Sequence, residues 1–306
     1  MLDARRLRLL HDLSRLGTIA AVANAHAYTP SAVSQQLSVL EREAGTPLLE
    51  RSGRRVALTP AAHVLVQHAE NVLAELERTQ AALASMRDGV TGPLRIGAFP
   101  TAVRALLPSA LVTLGRHHPG LELMVSELDP VAVPEALCER TLDVGLVQHY
   151  DVVPAQPYPG LETEPLLEET VFLAVPSPAP EYAKNLDAAE ALREVRDAPW
   201  ILASTGTLCH TATLHVCRDA GFDPHPRHHA DDFATVLALV AAGQGVSLVP
   251  QLAAREAPPG VRLLPLRTRR HTRIACRRGA SQHPAIRAFV NAMRETAAHQ
   301  RPVSGC

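Results

Sequence analysis

Aromatic side chains make up only 3% of this chain of 306 residues, so a binding site walled by stacked rings is not expected. The five cysteines form no CxxC pair and no even framework, which fits a reducing compartment and not a disulfide scaffold. No apolar run approaches a membrane span, and the opening MLDARRLRLL lacks the apolar core of a secretory leader. The expected location is therefore the cytoplasm, with no membrane partner. GxSxG, Walker, HExxH and GxGxxG patterns are all missing. Gly243-Gln244-Gly245 precedes a strand pattern instead of opening a phosphate-binding helix, so it reads as a turn. No catalytic group, resident metal or cofactor is expected. A net charge of −1 excludes a uniformly basic nucleic-acid glove.

What is present starts with residues 29–45, TPSAVSQQLSVLEREAG. Val33, Leu37, Leu40 and Ala44 recur at helical spacing, and Ser31, Ser34, Gln35, Ser38 and Arg42 make the opposite face. Thr29 suits the N-cap, Pro30 the first turn and Gly45 the stop. Short hydroxyl and amide side chains can approach base edges, because they donate and accept hydrogen bonds without bulk. Upstream, Leu9, Leu13 and Leu16 form a helical stripe stopped by Gly17, and Thr18 caps a short helix over 19–26. Only Ala27-Tyr28-Thr29 then remains for a turn. Helix, short helix, turn and polar-faced helix make a helix-turn-helix. Downstream, Arg51, Arg54 and Arg55 surround Gly53 before Val56 and Leu58, which predicts a two-stranded wing with a basic tip for phosphates. Residues 1–60 carry eight Arg against five acidic residues, a local excess of three positive charges.

The stretch AVSQQLSVLEREAGTPLLERSGRRVALTP resembles the LysR-type transcriptional regulators. The resemblance rests on Ser34, Leu37, Leu40, Glu41, Gly45, Pro47, Leu48, Arg51, Arg55, Leu58 and Thr59 in order and spacing. Gln35 stands where that family often has Arg or Lys, a departure that would change the sequence read.

Residues 61–87 contain no Pro or Gly, and Leu65, Ala69, Val72, Leu76, Thr79, Leu83 and Met86 alternate steps of four and three, a heptad seam. A dimer is predicted through Leu65, Val72, Leu76 and Leu83; the resemblance implies an antiparallel pair and, with the later domains pairing again, a tetramer. After Thr91-Gly92-Pro93 the texture becomes strand and helix in alternation, which predicts a parallel sheet faced by helices. Strands are expected at 94–99, 121–125, 144–148, 170–175, 200–203, 246–249, 261–266 and 273–276. Helices are expected at 102–117, 131–140, 208–220, 233–242 and 281–297. The segments LRIGAFPTAVRALLPSAL, HHPGLELMVSE, LCERTLDVGLV and DDFATVLALVAAGQGVSLVP resemble the effector domain of the same family, which has the fold of the periplasmic substrate-binding proteins. The fold class is thus α/β overall: an all-α winged helix-turn-helix (1–60), a dimerisation helix (61–91) and a two-lobed effector-binding domain (92–306). Its first lobe spans about 92–159 plus 267–306, and its second about 160–266.

In an open α/β sheet, ligands meet the carboxyl ends of strands in a crevice. That places Pro100, Thr101, Ala102 and Gln148 on one side, with Ser204, Thr205 and Thr207 across from them. The resemblance puts effector contacts at the same places. Two helix starts with hydroxyls favour a small polar ligand, with an anion preferred; the same Thr and Ser residues also serve as plain N-caps. His225, His228, His229, Asp231 and Asp232 have the donor types for zinc or nickel. Pro224 and Pro226 interrupt them, however, and the segment reads as a solvated entry to a helix capped by Asp231 or Asp232. Cys209 and Cys217 lie eight residues apart on one predicted helix, about 12 Å by helical rise, too far for a disulfide without local unfolding. The peroxide-sensing branch of the family carries two reactive cysteines in this region. CRDAGF matches around Cys217, while Cys209 is one residue off that spacing.

The function these features predict is a cytoplasmic DNA-binding transcriptional regulator whose promoter occupancy responds to a small effector. Thiol-based redox sensing through Cys209 and Cys217, or small-molecule binding without a DNA role, are the alternatives.

Overall fold

Helix α1 (Ala4–Leu16) begins because the Asp3 carboxylate accepts from the Arg5 and Arg6 amides, and it ends at Gly17, whose φ of 74° continues the chain in a left-handed turn. The computed structural model describes residues 1–52, 55–155, 157–177 and 188–300, which fall into two compact units. The first holds Met1–Asp88 with the short segments Cys138–Arg140 and Arg277–Pro284. Thr18 caps α2 (Ile19–Ala25), and Thr29 caps α3 (Pro30–Ala44), which stops at left-handed Gly45. Leu10, Val22, Val33, Leu37, Leu40 and Leu48 meet in a core closed to solvent. Each such side chain contributes about 1.5–3 kcal/mol through burial. The wing is an antiparallel pair, β1 (Leu49–Ser52) and β2 (Arg55–Leu58), with Arg51 opposite Val56. Glu41 ties it to α3: one carboxylate oxygen accepts from the Leu48 and Leu49 amides at 2.9 and 3.0 Å.

Thr59 then caps α4 (Pro60–Ser85), 26 residues and about 39 Å long at 1.5 Å per residue. Two stripes run along it. Ala62, Ala69, Ala74, Glu77 and Ala81 are buried, whereas Val72, Leu76 and Leu83 remain 43%, 40% and 59% exposed. Ala69 therefore leaves the predicted seam and joins the packed side. Glu77 is buried between Arg140 and Arg277. Gly279, at φ 88°, lies so close to the Ala74 carbonyl that a side-chain carbon there would collide with it.

The second unit holds the α/β part. Its strands are β3 (Gly92–Ala98), β4 (Leu121–Glu127), β5 (Val144–Tyr150), β6 (Leu161–Pro176), β7 (Pro199–Leu202), β8 (His225–His229), β9 (Ser247–Pro250) and β10 (Val261–Arg277). Its helices are α5 (Pro100–Ala105), α6 (Leu107–His117), α7 (Val133–Cys138), α8 (Ala188–Glu194), α9 (Leu208–Asp219), α10 (Phe233–Ala241), α11 (Gln251–Ala254) and α12 (Pro284–Ala298). Six strands form one sheet in the order β4-β3-β5-β10-β6-β9, and β7 pairs with β8 beside it. The sheet is mixed, not wholly parallel as the alternation suggested. β3 runs parallel to β4 and β5, but β10 opposes β5 and β9 opposes β6.

β6 and β10 depart most from the sequence reading. They are single strands of 16 and 17 residues, where one short strand (170–175) and two separate short strands (261–266 and 273–276) were predicted. Charged residues such as Glu168, Glu169, Arg269 and Arg270 interrupt the apolar runs without interrupting the strands. The predicted helix 102–117 is also two helices. Pro108 has no amide hydrogen and its ring would strike the Arg104 carbonyl, so the chain restarts at Leu107. Strand alternation feeds two cores. Val171, Leu173 and Trp200 pack with Val216 of α9, and Phe172, Ala174 and Ile201 pack with Val236, Leu237 and Val240 of α10. Among the described residues, no helix is long and apolar enough to cross a membrane.

Candidate functional site

The head presents α3 with its polar side outward. Ser31, Gln35 and Ser38 are exposed and Ser34 is half-buried, while Val33, Leu37 and Leu40 are buried beneath them. Thr29 is committed to the cap, accepting from the Ala32 amide at 3.2 Å, and Pro30 sits in the first turn. The helix is thus held rigidly from below while short donors and acceptors face solvent. Arg54 lies outside the described residues, and Arg51 and Arg55 are placed only by their backbone in β1 and β2.

The other candidate site lies in the α/β unit, around the middle of β10. Arg270 and Glu169 are almost wholly buried and doubly hydrogen bonded: Arg270 Nε to Glu169 Oε2 at 2.8 Å, and Nη2 to Oε1 at 2.9 Å. The same Nη2 donates to the Thr101 hydroxyl at 3.3 Å, and the guanidinium lies 5.0 Å from the centre of the Phe99 ring. Glu169 also accepts from the Leu252 amide at 2.9 Å. Thr101 and Gln148 are buried; Gln148 reaches toward Cys209 Sγ at 3.9 Å, and the Tyr150 hydroxyl lies 3.3 Å from that sulfur. The Gln148 Oε1 atom is buried with no hydrogen-bond partner. A cavity of about 10 Å³, room for roughly one water molecule, lies between Tyr150, Cys209, Thr213 and Thr268.

Sequence reasoning missed Arg270, Glu169 and Tyr150. The available signal was a charged residue of each sign inside long β-patterned stretches, since charges survive complete burial only when paired.

On the α9 side, Thr207 caps its helix, accepting from the His210 amide at 3.2 Å. Ser204 gives its amide and its hydroxyl to Asp231, both at 2.7 Å. Thr205 is exposed. Asp232 caps α10 through Thr235 and receives Arg104 of α5 at 2.8 Å. The structure thus brings Thr101 and Gln148 together with Arg270 and Cys209, and it directs Ser204 and Thr207 to local partners. Pro100 opens α5, and the Ala102 amide is engaged by the Phe99 carbonyl at 2.9 Å. Of the histidine-rich segment, residues 225–229 form β8, while Asp231 and Asp232 serve Ser204 and α10.

The anion preference expected from free helix amides meets a different electrostatic setting. Arg270 is matched by Glu169, Arg104 by Asp232, and the Ser204 donors by Asp231. Burial pushes the Cys209 thiol above its ordinary pKa, outweighing the Tyr150 hydrogen bond, and pushes the Cys217 thiol up to about 12.

The comparisons agree with this architecture. Residues 4–63 match the model of the bacterial regulatory helix-turn-helix protein, lysR family, and residues 87–298 match the LysR substrate binding domain. A probable hydrogen peroxide-inducible genes activator from Mycobacterium avium is 34% identical over 248 residues, covering 81% of this chain and 77% of that protein. One of the same description from Streptomyces viridosporus is 30% identical and covers 95% and 96% of the two chains. Among solved structures, a hydrogen-peroxide-bound cysteine-to-serine mutant of OxyR from Corynebacterium glutamicum is similar at a TM-score of 0.60 and 25% identity, covering 98% of this chain and 94% of that one.

Proposed function

The chain belongs to the LysR family of DNA-binding transcriptional regulators, and we propose that a small polar ligand between β5, β10 and α9 sets how it occupies promoters in the cytoplasm. Ser34 and Gln35 read base edges in this proposal, and the wing arginines hold phosphates. The homodimer forms through the outward stripe of α4, and dimers pair into tetramers.

The observation that carries the ligand reading is the buried, unpartnered Gln148 Oε1. Leaving such an atom unsatisfied costs about 1–3 kcal/mol, and a ligand donor hydrogen bonded to it recovers that. The buried charge beside it, Arg270, is already paired with Glu169, which favours a neutral hydrogen-bonding molecule over the anion expected from the helix starts. Arg104 of α5 and Asp232 of α10 are already paired at 2.8 Å, so these two helix starts are held together without a ligand. The test is a promoter-reporter screen of neutral and anionic metabolites on the wild type and on Gln148→Met. The expected result is a response to a neutral compound that the variant loses while its DNA affinity without ligand is kept. A response confined to anions, or one untouched in Gln148→Met, overturns the assignment.

The relatives' description as hydrogen peroxide-inducible genes activators, with Cys209 against Tyr150 and Gln148, favours one second reading. In it, Cys209 takes one oxygen from peroxide, forming a sulfenic acid and releasing water. The raised pKa values of both thiols count against it, because the thiolate is the nucleophile. Mass spectrometry after micromolar peroxide decides between the two: an unmodified Cys209 removes the redox reading.

A further inference from the structure

The groove of about 620 Å³ beside the recognition helix joins the first turns of α1 to the turn before α3, and Arg5, Arg8, Tyr28 and Gln36 are among the residues that line it. From this geometry we infer that the groove is a second phosphate-binding flank, in which Arg5, Arg8 and the Tyr28 hydroxyl hold a DNA backbone strand. The inference rests on α3 being the recognition helix.

Helix geometry places the groove. At about 100° per residue, Ser31, Ser34, Gln35 and Ser38 share one side of α3, the buried Val33, Leu37 and Leu40 share the opposite side, and Ala32 and Gln36 lie between them. When a helix lies in the major groove, the sides next to its base-reading face look toward the sugar-phosphate strands. The groove is built on one such side.

Its geometry is fixed. Arg6 Nε donates to the Gln36 side chain at 3.0 Å, and Arg6 pairs with Glu43, so the start of α1 is pinned to the flank of α3. That contact engages Arg6 and leaves its neighbours on the groove. Arg5 is exposed, Arg8 is half-exposed, and among the described residues neither takes part in an ion pair. The carboxylate at this end of α1, Asp3, is turned to the Arg5 and Arg6 amides, which hold its pKa below the ordinary value. Tyr28 is 49% exposed and stacks on His26 with ring centres 6.1 Å apart, so its hydroxyl is presented at a defined place. Two guanidinium groups with no ion pair among the described residues, and a phenol donor, carried beside the helix, match the chemistry of a phosphodiester. They carry no means of telling one base from another.

The test uses the full-length protein, with Arg5→Gln and Arg8→Gln made singly and together. Binding to a random 30-base-pair duplex, and to the tightest duplex selected by the wild type from a random pool, is measured against potassium chloride concentration. Each single variant should weaken both duplexes by the same factor, about 3- to 30-fold near physiological salt, and lower the log–log salt slope by about 0.9 for each phosphate no longer neutralised. Arg5→Lys should retain most of the binding, and melting temperatures should stay at the wild-type value. Unchanged affinity and slope in the double variant overturn the proposal, as does a weakening confined to the selected duplex. Failure of the wild type to bind either duplex would instead overturn the recognition-helix reading itself.

Discussion

Arg270 and Glu169 hold each other through two hydrogen bonds at 2.8 and 2.9 Å with almost no exposure to solvent, one from β10 and one from β6. A buried pair of this kind is costly to break on one side only, because the remaining charge has no water to turn to. Glu169→Met should destabilise the protein by about 3–5 kcal/mol in urea denaturation. Replacing both residues by Met should restore part of that loss. About 1–3 kcal/mol should remain missing because the Leu252 amide also loses its acceptor. A double variant as unstable as the single one would show that the pair is not the unit of stability.

The same pair explains what was readable in the sequence and what was not. Helix α3 was legible because its caps, its core stripe and its polar side are all local: Thr29, Pro30 and Gly45 stand at the positions expected of them. The full length of β6 and β10 was not, because hydrophobic periodicity treats a charge as a break. Glu169 and Arg270 are tolerated inside strands only through each other, 101 residues apart in the chain. For the crevice, strand-end reasoning named Thr101 and Gln148, which the structure brings beside Arg270 and Cys209. It could not foresee that the Ser204 donors would be taken by Asp231, a contact between segments 27 residues apart. Pro108, by contrast, was a visible signal for the break between α5 and α6.

Asp12 gives a pH prediction for the head. Burial pushes its carboxyl up, but hydrogen bonds from His11 and His26 (the latter at 2.8 Å) outweigh burial and hold it at about 2, against an ordinary 3.8. The folded-state value is depressed, so this stabilisation is present above pH 3.8 and is lost as pH falls through about 2. A shift of this size corresponds to roughly 2 kcal/mol at neutral pH. Asp12→Asn should therefore lose stability of that order at pH 7 and show a flatter stability profile between pH 4 and pH 2. Denaturant titrations across this range check it, and parallel profiles for the two proteins would refute it.

The outward stripe of α4 bears on assembly. Val72, Leu76 and Leu83 are exposed on a helix whose other side is packed, and they recur at the spacing of a paired seam. Leu76→Glu places a charge in that seam without touching the buried stripe at Ala69, Ala74 and Ala81. It should convert dimers to monomers in sedimentation at micromolar concentration and lower DNA affinity at the same time, while circular dichroism stays unchanged. A monomeric wild type, or a dimeric Leu76→Glu, would locate the interface elsewhere.

In the proposed reading of α3, Gln35 is the residue that tests base reading apart from backbone holding. It is exposed on the same side of α3 as Ser31 and Ser38, with its core neighbours Val33 and Leu37 fully buried, so truncating it removes polar reach without disturbing packing. An amide can pair in two places with adenine, and removing such a pairing costs about 1–3 kcal/mol at one base position. Gln35→Ala should therefore weaken the selected duplex by that amount, relax its preference at that position, and leave both random-duplex affinity and the salt slope as in the wild type. Arg5→Gln and Arg8→Gln should do the reverse, lowering the slope and leaving base preference intact. If Gln35→Ala weakens selected and random duplexes equally, the amide holds backbone and the base-reading side of α3 must be reassigned.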